Sequence, residues 1–580
     1  MSTQPAEALR WETAAPRRPA SPIGLDRIVQ YATALLVLAL VVLPLAPTVY
    51  QSFRDLPLYD SGGTLTLSAY ARLLGSREFL VALGNTLTVA VGATLLAQIL
   101  GVCCALVVAR TDMPARRFVG SLMLWPLYLS QLVLALGWIV AYGPSGLVTL
   151  WLGQWLGSPP WNLYSLGGLT IVAGCSLAPL TYMYCVDAAR TVDPALEDAM
   201  RMSGAGPLRA LFAVTVPLIR PALTASLVLN FVLCLELFSL PLLLGVPSGY
   251  EFLTTFIYSH GFEASPPDHA LVGALAVVLL LIASLLVMVQ GKLVGDRRRF
   301  VTVSGKAGQR RLAPLGAWRW PLAGFALAYI GLTTVVVIGC LVLRAFTSAL
   351  SPYVPLQEAL TLSNFTVLLD DPATLRAIVN TVTTAVAVGV IGTLLAVGAA
   401  LVATRSTMPG RRLLEFAALY PRAVPGILIG MGVLWAAAFL PPVAWLQNTI
   451  GILVLAFVIR HLPVGYAAIQ SMLVQISADH DRAARMCGAS WLEAMRSAVA
   501  PQLRPALVTS FALLAMHAVK EYAVAVFLFG PGSEILGTTM LTQWIQGEYG
   551  PVAALAVVQI VLIVVLLAAF RRFLGTRAHV

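Results

Sequence analysis

Twelve long apolar stretches run through this chain, and they leave few folds open to it. They lie at 29–50, 80–109, 117–142, 165–186, 221–245, 270–293, 320–343, 375–403, 414–439, 449–471, 505–530 and 549–570. A helix needs about 20 apolar residues to cross the hydrocarbon core of a bilayer. Only 11% of the 580 residues are charged, too few to cover a soluble fold of this size. The sequence predicts an all-α polytopic membrane protein with about twelve transmembrane helices.

The basic residues lie mostly at the ends of these stretches, on one predicted side. If both termini are cytoplasmic, 29 of the 37 Lys and Arg residues fall in cytoplasmic segments. This is the positive-inside pattern of membrane proteins. It accounts for the net charge of +11 without a nucleic-acid partner. The N-terminal segment is too long and mixed for a signal peptide, so we expect the first stretch to be retained as a helix.

The second half of the chain repeats the first. A shift of 295 residues superposes Asn85-Thr86 on Asn380-Thr381, and farther along the shift becomes 284. Because each copy has six spans, the two copies should have the same orientation in the membrane. We predict a cytoplasmic tail at 1–28, a first unit at 29–293, a cytoplasmic linker at 294–318, a second unit at 319–571 and a cytoplasmic tail at 572–580.

The best-repeated segments are the loops after the fourth span of each unit, at 190–220 and 474–504, which we call the first and second repeat loops. Identical residues stand at matching places, among them Ala199 and Ala483, Gly204 and Gly488, and Pro217 and Pro501. Both glycines suit the end of a helix, where a positive φ is favoured. Ser490 and Glu493 form a capping-box pattern, and Pro207 suits the first position of a helix. Each loop is predicted to be a helix, a turn and a short amphipathic helix.

This doubled loop resembles the signature of the inner-membrane permeases of bacterial ABC importers. That signature is E-A-A, three residues, Gly, at least nine residues, and then a hydrophobic residue with Leu-Pro. Here 198–200 reads Asp-Ala-Met and 482–484 reads Arg-Ala-Ala, while valine and alanine precede Pro217 and Pro501. The resemblance implies two type I permease units fused in one chain. It also implies that each short helix docks into a cleft of an ATPase subunit.

The resemblance implies partners as well. These are two copies of an ABC ATPase that binds ATP and Mg²⁺, a substrate-binding protein outside, and a bacterial inner membrane. The chain itself has no P-loop and no nucleophile motif, so we expect no enzymatic activity, cofactor or metal site of its own. The residues expected to couple it to the ATPase are Asp198, Ala199, Gly204, Leu208, Phe212, Pro217, Ala483, Ala484, Gly488, Trp491, Met495 and Pro501.

Charged residues within the spans are candidates for the substrate pathway. Glu236 and Glu521 occupy equivalent places in the two units, and Lys520 adjoins Glu521. Charges are costly in lipid and usually face a cavity or a partner. Bracing of helix packing is an equally good interpretation of the two carboxylates. Arg460 and His461, near the middle of the tenth span, are interpreted as interhelical contacts.

The segments 236–245 and 519–522 resemble matching segments of fused ferric-iron permeases, so ferric iron is the predicted substrate. Sister families carry thiamine, phosphonates or polyamines, and these stay open as alternatives. Two other classes of protein also stay open as alternatives. One is a secondary transporter of the major facilitator type, and the other is a membrane assembly protein without transport. The major facilitator loop pattern is matched only in part by 111–117.

Overall fold

The computed structural model describes residues 24–60, 62–294, 312 and 316–574. Most of the predicted tail at 1–28, of the linker at 294–318 and of the tail at 572–580 lies outside these ranges. The described chain is built from helices joined by short loops. Two isolated bridges at matching places, Arg54 with Leu65 and Thr347 with Leu360, fold back the segment after the first helix of each unit.

Among the residues that the structure describes, ten helices are long and apolar enough to cross a membrane, and the number is twelve if each of two bent pairs forms one span. We label the main helix of each span α1 to α12. They are α1 Leu25–Ser52, α2 Arg77–Arg110, α3 Gln131–Tyr142, α4 Leu166–Thr191, α5 Arg220–Leu235, α6 His269–Val294, α7 Gly316–Ala345, α8 Pro372–Arg405, α9 Gly426–Phe439, α10 Ile450–Gln475, α11 Arg504–Lys520 and α12 Tyr549–Leu574. The prediction of an all-α membrane protein with about twelve spans is confirmed.

Four of the predicted spans are not continuous helices. A 3₁₀ turn at Trp125–Tyr128 precedes α3, and its counterpart Tyr420–Ala423 precedes α9 at a bend of 109°. Each turn contains a proline, which removes a helical hydrogen bond. Helices α5 and α11 end before the predicted limits of 245 and 530. Glu236 and Glu521 are therefore the residues that follow these helices.

The first helix of each unit packs against the other unit. A Cβ at Gly432 of α9 would collide with the carbonyl oxygen of Pro44 in α1, so glycine permits this close approach. In the opposite direction, the Tyr329 hydroxyl of α7 donates a hydrogen bond to the carbonyl oxygen of Cys175 in α4 at 2.8 Å. The two units interlock through α1 and α7.

The repeated Asn-Thr pair makes the same contacts in both units. Each side chain holds the segment that begins a short helix between the fifth and sixth spans, Leu253–Tyr258 or Leu536–Ile545. The bonds join Asn85 to Glu251 and Thr86 to Leu253 in the first unit, and Asn380 to Glu534 and Thr381 to Leu536 in the second, at 2.9 to 3.0 Å. The sequence repeat is therefore also a repeat of hydrogen bonds.

Candidate functional site

Each repeat loop contains a helix, a glycine turn and a second short helix. These are Pro194–Met202, Gly204 and Pro207–Ala210 in the first loop, and Asp479–Met486, Gly488 and Trp491–Ala494 in the second. The two glycines have φ angles of +88° and +92°, a conformation that favours glycine. The capping box of Ser490 and Glu493 is formed.

A buried ion pair anchors each loop to the second helix of its own unit. Arg110, the last residue of α2, lies 2.8 Å from Glu197, and the two side chains are 5% and 7% exposed. Arg405, the last residue of α8, lies 3.1 Å from Asp481. The carboxylate of Glu197 also accepts a hydrogen bond from Thr215. Each loop is thus joined to a membrane-spanning helix by a buried ion pair.

The motif in the sequence predicts a coupling role for the neighbouring Asp198 and gives none to Glu197. Asp198 is partly exposed and lies 3.6 Å from Arg201 of its own helix. Its counterpart in the second loop is Arg482, whereas Glu197 is matched by the acidic Asp481. Retention of the acid in both copies was the signal that could have identified the anchor.

The outer faces of the loops carry exposed apolar side chains. Met202 and Met486, each the last residue of the first helix of its loop, are 86% and 84% exposed. Phe212 is 57% exposed. Among the other predicted coupling residues the exposed ones are Ala199, Gly204, Pro217, Ala483, Gly488 and Pro501, and Ala484 is half-buried. The two methionines were aligned by the repeat but were not among the residues expected to couple.

Two predicted coupling residues of the second loop face inward. Trp491 and Met495 are buried in a cluster with residues of α1, α8 and α10. The Trp491 indole N–H also donates to the carbonyl oxygen of Arg405 at 3.0 Å. These side chains hold the short helix to spans of its own unit and share their cluster with α1 of the first unit. Leu208 is a predicted coupling residue of the first loop. Its side chain lies outside the described residues.

Charged side chains from both units meet between the spans. Arg460 of α10 lies 2.8 Å from Glu236, which follows α5 of the first unit, and it also donates to the carbonyl oxygen of Val424. His461 Nε2 lies 3.3 Å from Glu521 Oε2. The structure thus brings together the two predicted pathway carboxylates with the two residues that were interpreted as interhelical contacts.

Lys520 makes another contact between the two units. Its ammonium group donates to the carbonyl oxygen of Leu127, in the 3₁₀ turn before α3, at 2.8 Å. Close by in the sequence, the ring of Tyr522 stacks on that of Phe238 from the first unit, with centroids 5.8 Å apart. Within the described part of the chain, no group of three or more His, Cys, Asp or Glu residues could hold a metal ion.

Two interlocked six-span units, each with an anchored and exposed loop, define a duplicated membrane permease. A family model described as "Binding-protein-dependent transport system inner membrane component" matches residues 80–300 and again 390–578. The chain belongs to this family, with one match in each unit. The membership excludes the major facilitator and assembly-protein alternatives. It also makes the chain a transport component and not an enzyme.

Some similar proteins match nearly the whole of this chain, and others match part of it. A ferric transport system permease protein, FbpB of Actinobacillus pleuropneumoniae, is 26% identical over 548 residues, covering 93% of this chain and 77% of that protein. Protein y4fN of Sinorhizobium fredii, named as a probable ABC transporter permease, is 27% identical over 95% of this chain and 98% of its own length. A sulfate transport system permease protein, CysW of Synechocystis, is 28% identical over 34% of this chain and 68% of its own.

Proposed function

We propose that this chain forms the substrate pathway of a bacterial ABC importer and that its two repeat loops couple the pathway to ATP hydrolysis by a separate ATPase. The observation that carries the proposal is the pair of exposed methionines, Met202 and Met486, on loops anchored by buried ion pairs. Methionine adapts well to an apolar groove. An anchored loop transmits force, since the Arg110 and Arg405 pairs join it to a spanning helix.

The duplicated loops call for two copies of the ATPase, one for each loop. Counting the spans, both loops, the N-terminus, the linker and the C-terminus fall on one side, and the positive-inside pattern makes that side cytoplasmic. The opposite face then receives the substrate-binding protein. ATP and Mg²⁺ belong to the ATPase, and the chain needs no cofactor of its own.

The charged residues that meet between the spans of the two units line the proposed translocation pathway. Glu236, Lys520 and Glu521 lie where the fifth span of each unit stops being helical. Their partners Arg460, His461 and the Leu127 carbonyl belong to other helices, and two of the three contacts join different units. When the units move apart, the Glu236 and Lys520 contacts must break, and the freed charges can then face a charged substrate.

Ferric iron is the proposed substrate. The ferric transport permease resembles the chain through both units, whereas the sulfate permease matches about a third of it. Two carboxylates in the pathway suit a cation with a preference for oxygen ligands. Thiamine, a phosphonate and a polyamine are the alternatives for which the same architecture would serve.

Coupling is tested by placing a charge on the exposed methionines. The double variant Met202→Asp and Met486→Asp is purified with the cognate ATPase in lipid nanodiscs. We expect the ATPase to dissociate and ATP-dependent uptake to be lost, with the thermal midpoint unchanged. The matched control is Leu65→Asp, at a side chain that is 70% exposed on the opposite face. Normal ATPase binding by the double variant would refute the proposal.

The substrate is tested by uptake into proteoliposomes that hold the chain, the ATPase and the binding protein. Radioactive ferric iron, thiamine, 2-aminoethylphosphonate and a polyamine are compared at equal concentration. We expect ATP-dependent accumulation of iron alone. Accumulation of another compound in its place would overturn the iron assignment while leaving the coupling proposal intact.

A further inference from the structure

The carboxylate of Asp26, in the first turn of α1, lies at the start of the short helix of the second repeat loop. Its Oδ2 accepts a hydrogen bond from the Trp491 N–H at 2.7 Å, and its Oδ1 accepts one from the Leu492 N–H at 3.2 Å. The first N–H groups of a helix have no partner within that helix. A residue 465 positions away in the sequence thus caps the short helix.

The loop supplies a second cap from its own residues. Ser490 Oγ accepts the Glu493 N–H at 3.3 Å, and the Glu493 carboxylate accepts the Ser490 N–H at 2.8 Å. This capping box leaves the N–H groups of Trp491 and Leu492 to Asp26. The local cap and the distant cap therefore satisfy different groups of the same helix end, and they can be removed separately.

Helix α1 and the short helix also contribute side chains to the same buried apolar cluster. Val37 and Val41 of α1 share a buried cluster with Trp491, Ala494 and Met495. By sequence α1 belongs to the first unit, while the loop belongs to the second. Asp26 is therefore a polar connection between the first unit and the loop of the second.

In the first repeat loop the bond that Trp491 makes has lost both of its partners, whereas Leu208 keeps the N–H that corresponds to that of Leu492. Pro207 stands where Trp491 stands in the repeat, and proline has no N–H to donate. Helix α7, the counterpart of α1, contains no Asp or Glu between residues 316 and 345. For the Trp491 bond the donor and the acceptor are both replaced, so a single substitution in the first unit would not restore it.

We infer that Asp26 is a positioning residue that fixes the short helix of the second loop to α1, so that a force received by this loop reaches the first unit directly. The inference rests on the proposed coupling function of the loops. It makes the two ATPase contacts unequal, since Pro207 has no N–H with which to make the bond of Trp491. Asp26 acts through the loop backbone and does not touch substrate.

Hydrogen exchange of the full chain in nanodiscs, with and without the cognate ATPase, tests the inference. In the chain alone, Asp26→Ala should speed exchange at the Trp491 and Leu492 amides by about fivefold, the effect of losing one ordinary helix cap. When the ATPase binds the native chain, we expect slower exchange in the second loop and in 25–33 of α1. In Asp26→Ala the α1 response should disappear while the loop response remains.

Two further variants separate positioning from capping and from misfolding. Ser490→Ala removes the local cap and should keep the α1 response, whereas Asp26→Glu should restore it. An α1 response that persists in Asp26→Ala, or that is also lost in Ser490→Ala, would overturn the inference. An ATPase that leaves the loops of the native chain unprotected would instead refute the proposed function. If Asp26→Ala does not fold, Asp26→Asn takes its place: it keeps one acceptor oxygen and loses the other, so the α1 response should weaken, and an unchanged response would overturn the inference.

Discussion

Glu236 of the first unit and Arg460 of the second form an ion pair of 2.8 Å between the membrane spans. Their side chains are largely buried, and Arg460 also donates to the carbonyl oxygen of Val424, at the bend before α9. An unpaired charge at this depth is costly. The pair therefore stabilises the arrangement of the units that the structure shows.

Removing one member of this pair should destabilise the contact between the units. For Glu236→Ala we expect a loss of about 3 to 5 kcal/mol, because Arg460 is left buried without its counter-charge. The double variant Glu236→Ala with Arg460→Met should recover much of the thermal midpoint and none of the uptake. The control is Asp187→Asn, since the pair of Asp187 with Arg190 is exposed. A native midpoint in Glu236→Ala would contradict the role of the pair.

The anchors of the repeat loops predict a contrast between adjacent acids. Glu197→Ala should cost about 3 to 5 kcal/mol because it leaves Arg110 buried and unpaired. Asp198→Ala removes a partly exposed side chain one residue later and should change the stability by about 0.5 kcal/mol or less. Thermal denaturation in detergent ranks the variants. Equal losses at the two positions would mean that the loop is not held by its buried pair.

Replacing the turn glycine of a repeat loop should lower the free energy of unfolding through backbone conformation alone. Gly204 has a φ of +88°, and a Cβ placed there would meet no atom within 4 Å. Gly204→Ala should therefore cost about 1 to 2 kcal/mol through the left-handed conformation. Gly206 is equally open and lies two residues later, so Gly206→Ala is the matched control and should be neutral. A neutral Gly204→Ala would show that the turn can adopt another conformation without loss.

Local features of this fold could be predicted from the sequence, and contacts between distant segments could not. The turn glycines and the Ser490 capping box follow from rules that act within a few residues. The repeat located the equivalent loops and the Asn85 and Asn380 pairs. In contrast, neither hydrophobic periodicity nor spacing indicates that Asp26 reaches Trp491.

The ends of the fifth and eleventh spans also could not be predicted from the sequence. Apolar composition continues past Leu235 and Lys520, so the stretches predicted helix to 245 and 530. The backbone leaves the helix earlier, where Glu236 binds Arg460 and Glu521 contacts His461. These partners lie on other helices. A single sequence gives the charged residues but not the pairs that they form.

Asp268, in the loop before α6, should make the stability of the protein depend on pH. Burial alone would raise the pKa of Asp268, but hydrogen bonds from the Arg72 side chain and the Leu271 N–H outweigh it and lower that pKa. A lowered pKa in the folded state means that the carboxylate stabilises the protein above its unfolded pKa of about 4. The stabilisation is lost as the pH falls through the folded value.

We therefore expect Asp268→Asn to have a lower thermal midpoint than the native chain at pH 7, with the difference shrinking as the pH falls below about 4. The effect should be small because Arg72 is half-exposed and solvent screens the pair. Arg72→Gln should lower the midpoint at pH 7 and raise the pKa of Asp268, so that stability is lost at a higher pH than in the native chain. A constant difference between the native chain and Asp268→Asn from pH 7 to pH 3 would show that the ionised carboxylate is not the stabilising form.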